Sequence, residues 1–190
     1  GTLAFGGVAN DSHGAMAADV TADEGTGMTA TTYGAVMPAD EKIAASTISL
    51  ALPAVSGVSI TLGIGDGATD TTDSTQAGIS YAMDAGAMGI TVSYASSSDG
   101  TAGGGNDATH TSAKVTAGAA TVTMISGTYG DYENTAIGAT YKVSDALTVQ
   151  AYTGSTKLDT NANYEVNDTG IGLTYTITTG MSLSVTHNDY

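Results

Sequence analysis

The 190-residue chain has no cysteine, no tryptophan and no arginine, and Phe5 is its one phenylalanine. Without cysteine there is no disulfide framework and no thiolate metal site. Cationic side chains are limited to Lys42, Lys114, Lys142 and Lys157, against 19 acids, for a net charge of −15. That balance excludes nucleic acid as a partner, because a phosphate backbone is held by clustered Lys and Arg. It suits soluble cations, or Ca²⁺ and Mg²⁺ held by carboxylates. The scarcity of large aromatics bears on fold. Apolar burial stabilises by roughly 25 cal/mol per Å², and a soluble sandwich of this length would place more Phe, Leu and Trp in its interior. No apolar run approaches the ~18–20 residues of a membrane helix. This does not bear on a membrane barrel, whose strands carry only a weak hydropathy signal. No signal-peptide pattern stands at Gly1, and a start without Met fits a chain processed, or cut from something longer.

What is present is alternation. In TGIGLTYTITTGMSLSVTH (169–187), Ile171, Leu173, Tyr175 and Ile177 are separated by Gly or Thr, and Met181, Leu183 and Val185 by Ser or Thr. Successive side chains leave a strand on opposite faces, so this is a strand pair with one apolar and one polar face. From residue 46 the chain reads as five such hairpins, turning at 53–57, 84–86, near Gly118, at Ser144-Asp145 and at 178–180. Residues 1–9 read as one further strand. The connections between hairpins, 65–76, 96–109, 127–134 and 155–168, are longer and polar, so short and long links alternate. That is the pattern of an up-and-down meander whose two ends differ, as in outer-membrane barrels. Every acid is expected in a loop, a turn or the first 45 residues, and none in the middle of a strand. The polar phase is Thr, Ser and Gly with Lys114, Lys142 and Gln150. Tyr81, Tyr141 and Tyr175 fall on the apolar phase just before short turns, the placement of an aromatic girdle at a membrane interface.

Residues 10–45 break the rhythm and hold Asp11, Asp19, Asp23, Glu24, Asp40 and Glu41. A connection this long inside a compact domain is usually functional. Carboxylates inside a low-dielectric barrel focus a negative potential that attracts cations, and Asp19, Asp23 and Glu24 could also hold Ca²⁺ through oxygen ligands. Asp11-Ser12-His13 has the residue types of a hydrolase triad, but neighbours in sequence do not take up triad geometry. GGGNDATH (103–110) occurs once, whereas calcium-binding solenoids need such a segment repeated. His110 and His187 are too isolated for a metal site. No cofactor and no enzymatic activity are expected.

With its paired strands and acidic outer loops, above all ISYAMDAGAMGITVSYASSSDG (79–100) and GIGLTYTITTGMSLSVTHND (170–189), the chain resembles the general-diffusion porins of Gram-negative outer membranes, in particular the sixteen-strand alphaproteobacterial group. The resemblance implies a transmembrane antiparallel up-and-down β-barrel that passes small hydrophilic solutes and cations through a water-filled pore. It also implies contact with membrane lipids and lipopolysaccharide, and assembly as a homotrimer. GTLAFG (1–6) is placed before a pore-constricting third loop, which would be residues 10–45. Eleven strands against about sixteen imply a partial chain within one barrel domain, lacking strands at both ends. The arginine cluster of the family has no counterpart in this sequence: either it belongs to early strands that the chain lacks, or the pore is acidic and strongly cation-selective. The alternative is a secreted or surface-attached adhesin, passenger or fibre protein, in which the apolar phase would be hidden between sheets.

Overall fold

The computed structural model describes residues 1–8, 46–66, 73–98, 107–158, 161–179 and 181–189. They form eleven strands: β1 (Thr2–Val8), β2 (Ser46–Ala51), β3 (Val58–Asp66), β4 (Asp73–Ala85), β5 (Met88–Ser98), β6 (Ala108–Ala117), β7 (Ala120–Tyr129), β8 (Tyr132–Lys142), β9 (Leu147–Leu158), β10 (Asn161–Thr178) and β11 (Met181–Asp189). All belong to one antiparallel sheet in strict chain order, with β1 and β11 at its edges. The expected hairpins are β2–β3, β4–β5, β6–β7, β8–β9 and β10–β11, each paired along its length.

The turns follow from local chemistry. Between β2 and β3, Ser56 and Gly57 both have positive φ, 50° and 83°, and Val55 and Val58 exchange two 2.9 Å backbone bonds across them. This is the two-residue turn whose twist matches that of the flanking strands. Two residues also join β4 to β5 and β6 to β7. In the β8–β9 turn the Ser144 hydroxyl accepts from the backbone N–H groups of Ala146 and Leu147, a side chain standing in for a backbone acceptor.

At the other end of the sheet the strands run further than the sequence suggests. The segment 127–134 is not a long loop: β7 and β8 continue to a two-residue turn at Gly130-Asp131, with Gly130 at φ 52°. Likewise 155–168 is mostly ladder, since β9 extends to Leu158 and β10 begins at Asn161. The expectation that no acid lies in the middle of a strand fails with it on β10. Glu133 lies in β8, and Glu165 and Asp168 lie in β10. The physical reason is that backbone pairing persists after the side chains have turned polar, so the ladder outruns the apolar alternation that marks it.

Burial is inverted relative to a soluble sheet. On β8, Asn134, Ala136 and Gly138 are buried while Thr135, Ile137 and Ala139 are exposed. On β5, Ser93, Ala95 and Ser97 are buried between exposed Val92 and Tyr94. The exposed large apolar residues run from Leu3 on β1 to Val185 on β11, and the buried set includes Gln76, Thr123, Gln150 and Thr156. Strands pack essentially only on their neighbours in the sheet, so the apolar phase is not clasped beneath a second sheet. Curling of the one sheet toward its polar face brings those side chains together.

Candidate functional site: the enclosed polar wall

The enclosed face is best described by its cross-strand rows. One runs Ala95–His110–Gly127–Asn134–Thr156 over β5 to β9. His110, Asn134 and Thr156 are only 1%, 2% and 1% exposed. The Thr156 hydroxyl donates to Asn134 Oδ1 at 2.6 Å, and the Asn134 amide nitrogen has no protein partner. The next row toward the short turns holds Ser93 and Ser112, whose hydroxyls share a hydrogen bond, followed by Ile125 and Ala136. The row after it runs Lys114–Thr123–Gly138–Tyr152–Gly170. Tyr152 is buried between two glycines, Gly138 and Gly170. With no side chain on either flank, its ring has room to lie over the neighbouring backbone.

Lys114 and Lys142 share the phase of this polar face and are exposed toward the short-turn end, and Gln150 is buried on the same phase. Lys142 Nζ lies 2.9 Å from Asp145 Oδ1 in the turn. That hydrogen bond, and then the charge of Lys142, hold the Asp145 carboxyl below its ordinary pKa. The wall is therefore mostly hydroxyl, amide and glycine, with charge of both signs: Lys114 and Lys142 and, opposite Gly89 on the same phase of β4, Asp84. Among the described residues no three His, Cys, Asp or Glu are grouped to hold a metal. Asp11, Asp19, Asp23, Glu24, Asp40 and Glu41, with the Ca²⁺ set drawn from them and the whole 10–45 segment, lie outside the described residues.

Tyr81, Tyr141 and Tyr175 are on the opposite, exposed face, at 40%, 52% and 46% exposure. They do not share a ladder row. The row of Tyr81 reaches β8 at Ile137, four residues from Tyr141. The row of Tyr141 reaches β10 at Leu173, two residues from Tyr175. Both offsets run toward the short turns with the same slope, two residues for every two strands. In a barrel, whose strands tilt, a level line crosses the ladder obliquely in this way. An exposed apolar band bearing tyrosines at one slant, on the outside of a single curled sheet, is a lipid-facing surface.

No protein-family model matches the sequence, and no curated protein matches it as a relative. Solved structures do match. A multiply substituted variant of Rh. blastica porin superposes with a TM-score of 0.56 at 22% identity, over 74% of this chain and 48% of that one. Outer-membrane expressed OmpT of Vibrio cholerae gives 0.62 at 16% identity, over 98% of this chain and 65% of that one. The fold is that of a porin-like outer-membrane β-barrel.

The chain spans about half the length of the porin and about two thirds of OmpT, so the eleven strands correspond to part of a larger barrel. Both solved neighbours are bacterial outer-membrane barrels; in that fold the apolar phase is turned toward lipid and the polar phase toward the lumen. The sequence pattern did not single out Asn134, Tyr152, Thr156 or the serine pair, and it set His110 aside. All are lumen-phase residues, and the available signal was parity: His110 shares the phase of Ser112 and Lys114. His187, in contrast, pairs with Ile171 on the lipid-facing phase.

Proposed function

We propose that the protein forms a water-filled, cation-preferring channel for passive diffusion of small hydrophilic solutes. The observation that carries this reading is the inverted burial: hydroxyls, amides and glycines are enclosed, and Ile, Leu, Val, Met and Tyr face outward. A wall of neutral hydrogen-bonding groups exchanges partners with passing water and solute without holding either tightly, which is what conduction requires. No reaction and no cofactor are assigned. The preference for cations comes from the acids of residues 11–41, which outweigh Lys114 and Lys142 on the wall. Asp19, Asp23 and Glu24 are the residues that would hold Ca²⁺, as carboxylate oxygens do. Assembly as a trimer and contact with lipopolysaccharide complete the proposal.

Reversal potentials in planar bilayers test it. The double variant Asp19→Asn/Asp23→Asn should lower the cation-to-anion permeability ratio, and Lys114→Gln/Lys142→Gln should raise it. An unchanged ratio in both would refute the charge assignment, and absence of any conductance would refute the channel. An adhesin or fibre would have to hide the apolar phase between sheets; here it is exposed on one sheet, so the protein should require detergent for extraction.

A further inference from the structure

Charge is sparse on the lumen phase, and it is not all of one kind. On β4 that phase carries Asp84 near the short turn, and on β6 it carries Lys114. Both side chains are exposed. Lys142 is already held by Asp145, at 2.9 Å. Neither Asp84 nor Lys114 belongs to an ion pair among the described residues. The two stand at opposite corners of a small block of lumen-phase positions. β4 supplies Ala82 and Asp84, β5 supplies Thr91 and Gly89, and β6 supplies Lys114 and Thr116. At ~4.8 Å per strand and ~3.4 Å per residue, the charged corners are about 12 Å apart between Cα atoms. The floor between them is low. Among the described residues, a Cβ on Gly89 would come within 4 Å of the Asp84 carboxylate alone, with Oδ1 at 3.9 Å. The carboxylate therefore leans toward β5, the strand that separates the two charges.

We propose that this pair of corners is a docking site for small zwitterions of the α-amino acid class. The ligand's ammonium lies on Asp84, its carboxylate on Lys114, and the carbon between them over Gly89. Charge decides the class. A simple cation is drawn to Asp84 and repelled by Lys114, and a simple anion meets the reverse, so the pair is nearly neutral toward either. A zwitterion is attracted at both ends, by charge-assisted hydrogen bonds. Spacing agrees with charge. The aspartate stem is too short to reach across two strands, so the corners do not close on each other. The lysine ammonium rides on a flexible four-carbon stem and can swing in to clasp a molecule whose own charges are a few bonds apart. The hydroxyls of Thr91 and Thr116 flank the floor and supply further donors and acceptors. No side chain of the block covers Gly89, so the ligand's own side chain is free to project into the lumen, and the site reads the charged backbone rather than one amino acid. Exposed ion pairs are weak, which suits a solute that must leave again. The inference rests on the reading of this face as the lumen of a channel, and deepens it by naming a solute class.

The test reads binding and conduction separately. Full-length protein in detergent micelles is titrated with glycine and followed by saturation-transfer NMR. Glycinamide, which keeps only the ammonium, and glycolate, which keeps only the carboxylate, are the comparison ligands. Glycine should saturate with a midpoint on the order of 10–100 mM, and each comparison ligand should bind about threefold more weakly. Asp84→Asn and Lys114→Gln should each weaken glycine by about the same threefold. The exchanged pair, Asp84→Lys/Lys114→Asp, should restore most of the affinity, because a zwitterion can bind the other way round. A merely structural role for either residue would show no such rescue. In planar bilayers the same glycine concentrations should lower the single-channel potassium current along the same saturation curve. Binding without any current would refute the channel and support the site. Current without saturable glycine binding would refute the site and leave the channel standing. Equal binding of the three ligands, or no rescue in the exchanged pair, would overturn the assignment.

Discussion

At the residue scale the fold depends on a few positions where backbone meets backbone. Gly57 is one. Its φ of 83° is in the left-handed region, and a Cβ there would stand 2.1 Å from the carbonyl oxygen of Ala82. The same two residues are tied by a 2.8 Å bond from the Ala82 N–H to the Gly57 carbonyl, so neither can retreat without loss of the pairing that carries β3 onto β4. Gly57→Ala should cost about 2–3 kcal/mol through strain and displacement, read as a lower urea midpoint for unfolding from vesicles. Asp145 is a contrasting case. Its carboxyl is fully exposed, and Lys142 depresses its pKa first by a hydrogen bond and then by charge. A depressed folded-state pKa adds stability above the unfolded-state value, and that contribution is lost as pH falls through the folded-state value. Lys142→Met should therefore move the Asp145 titration upward in an NMR pH series and flatten the acid limb of the stability profile. An unmoved titration would mean that the contact does not persist in solution.

At the scale of the element, one residue of offset separates lipid from lumen. Leu173 and Thr174 are neighbours on β10; Leu173 is on the exposed apolar phase, and Thr174 is on the lumen phase facing Ser184 across the ladder at 3.3 Å. Lysine at Leu173 places a charge in hydrocarbon one lipid-facing position inside the tyrosine level and should cost ~1–2 kcal/mol of folding free energy, between the interfacial and mid-depth values. Lysine at Thr174 reaches water and should cost well under half of that; equal costs would mean that the two phases are misassigned. This parity was legible in the sequence because Ile171, Leu173, Tyr175 and Ile177 alternate with small or polar residues. The loop-end extensions were not. Beyond Ile137 the lipid-facing phase of β8 becomes Thr135 and then Glu133, so both faces are polar and the period-two signal vanishes while hydrogen bonding continues. The enclosed rows were hidden for a related reason: Ser93, Ser112, Asn134 and Thr156 are ordinary loop or turn residues by type. Only the curl of the sheet, a property of many strands together, brings them out of solvent.

At the scale of the whole molecule, the tyrosine offsets determine how the wall stands in the membrane. Tyr81, Tyr141 and Tyr175 step toward the short turns by two residues for every two strands crossed. Two strands are ~9.6 Å apart across the sheet and two residues are ~6.8 Å along it. If the three rings mark one interface, the strands lean about 35° from the barrel axis, at the lower end of the ~35–45° found for such barrels. The short turns slant in the same sense across the sheet as a whole. The ladder row through Tyr81 begins at Val58, the first residue of β3, yet on β10 it passes Thr169, well short of the strand end at Thr178. Polarised infrared dichroism on oriented bilayers measures this tilt directly. A mean strand angle of about 35° is expected. A value near zero would set Tyr81 about 20 Å above Tyr175 at the same ~6.8 Å per two-residue step along a strand, beyond the reach of one head-group layer. The girdle would then have to be abandoned, even with the inverted burial intact.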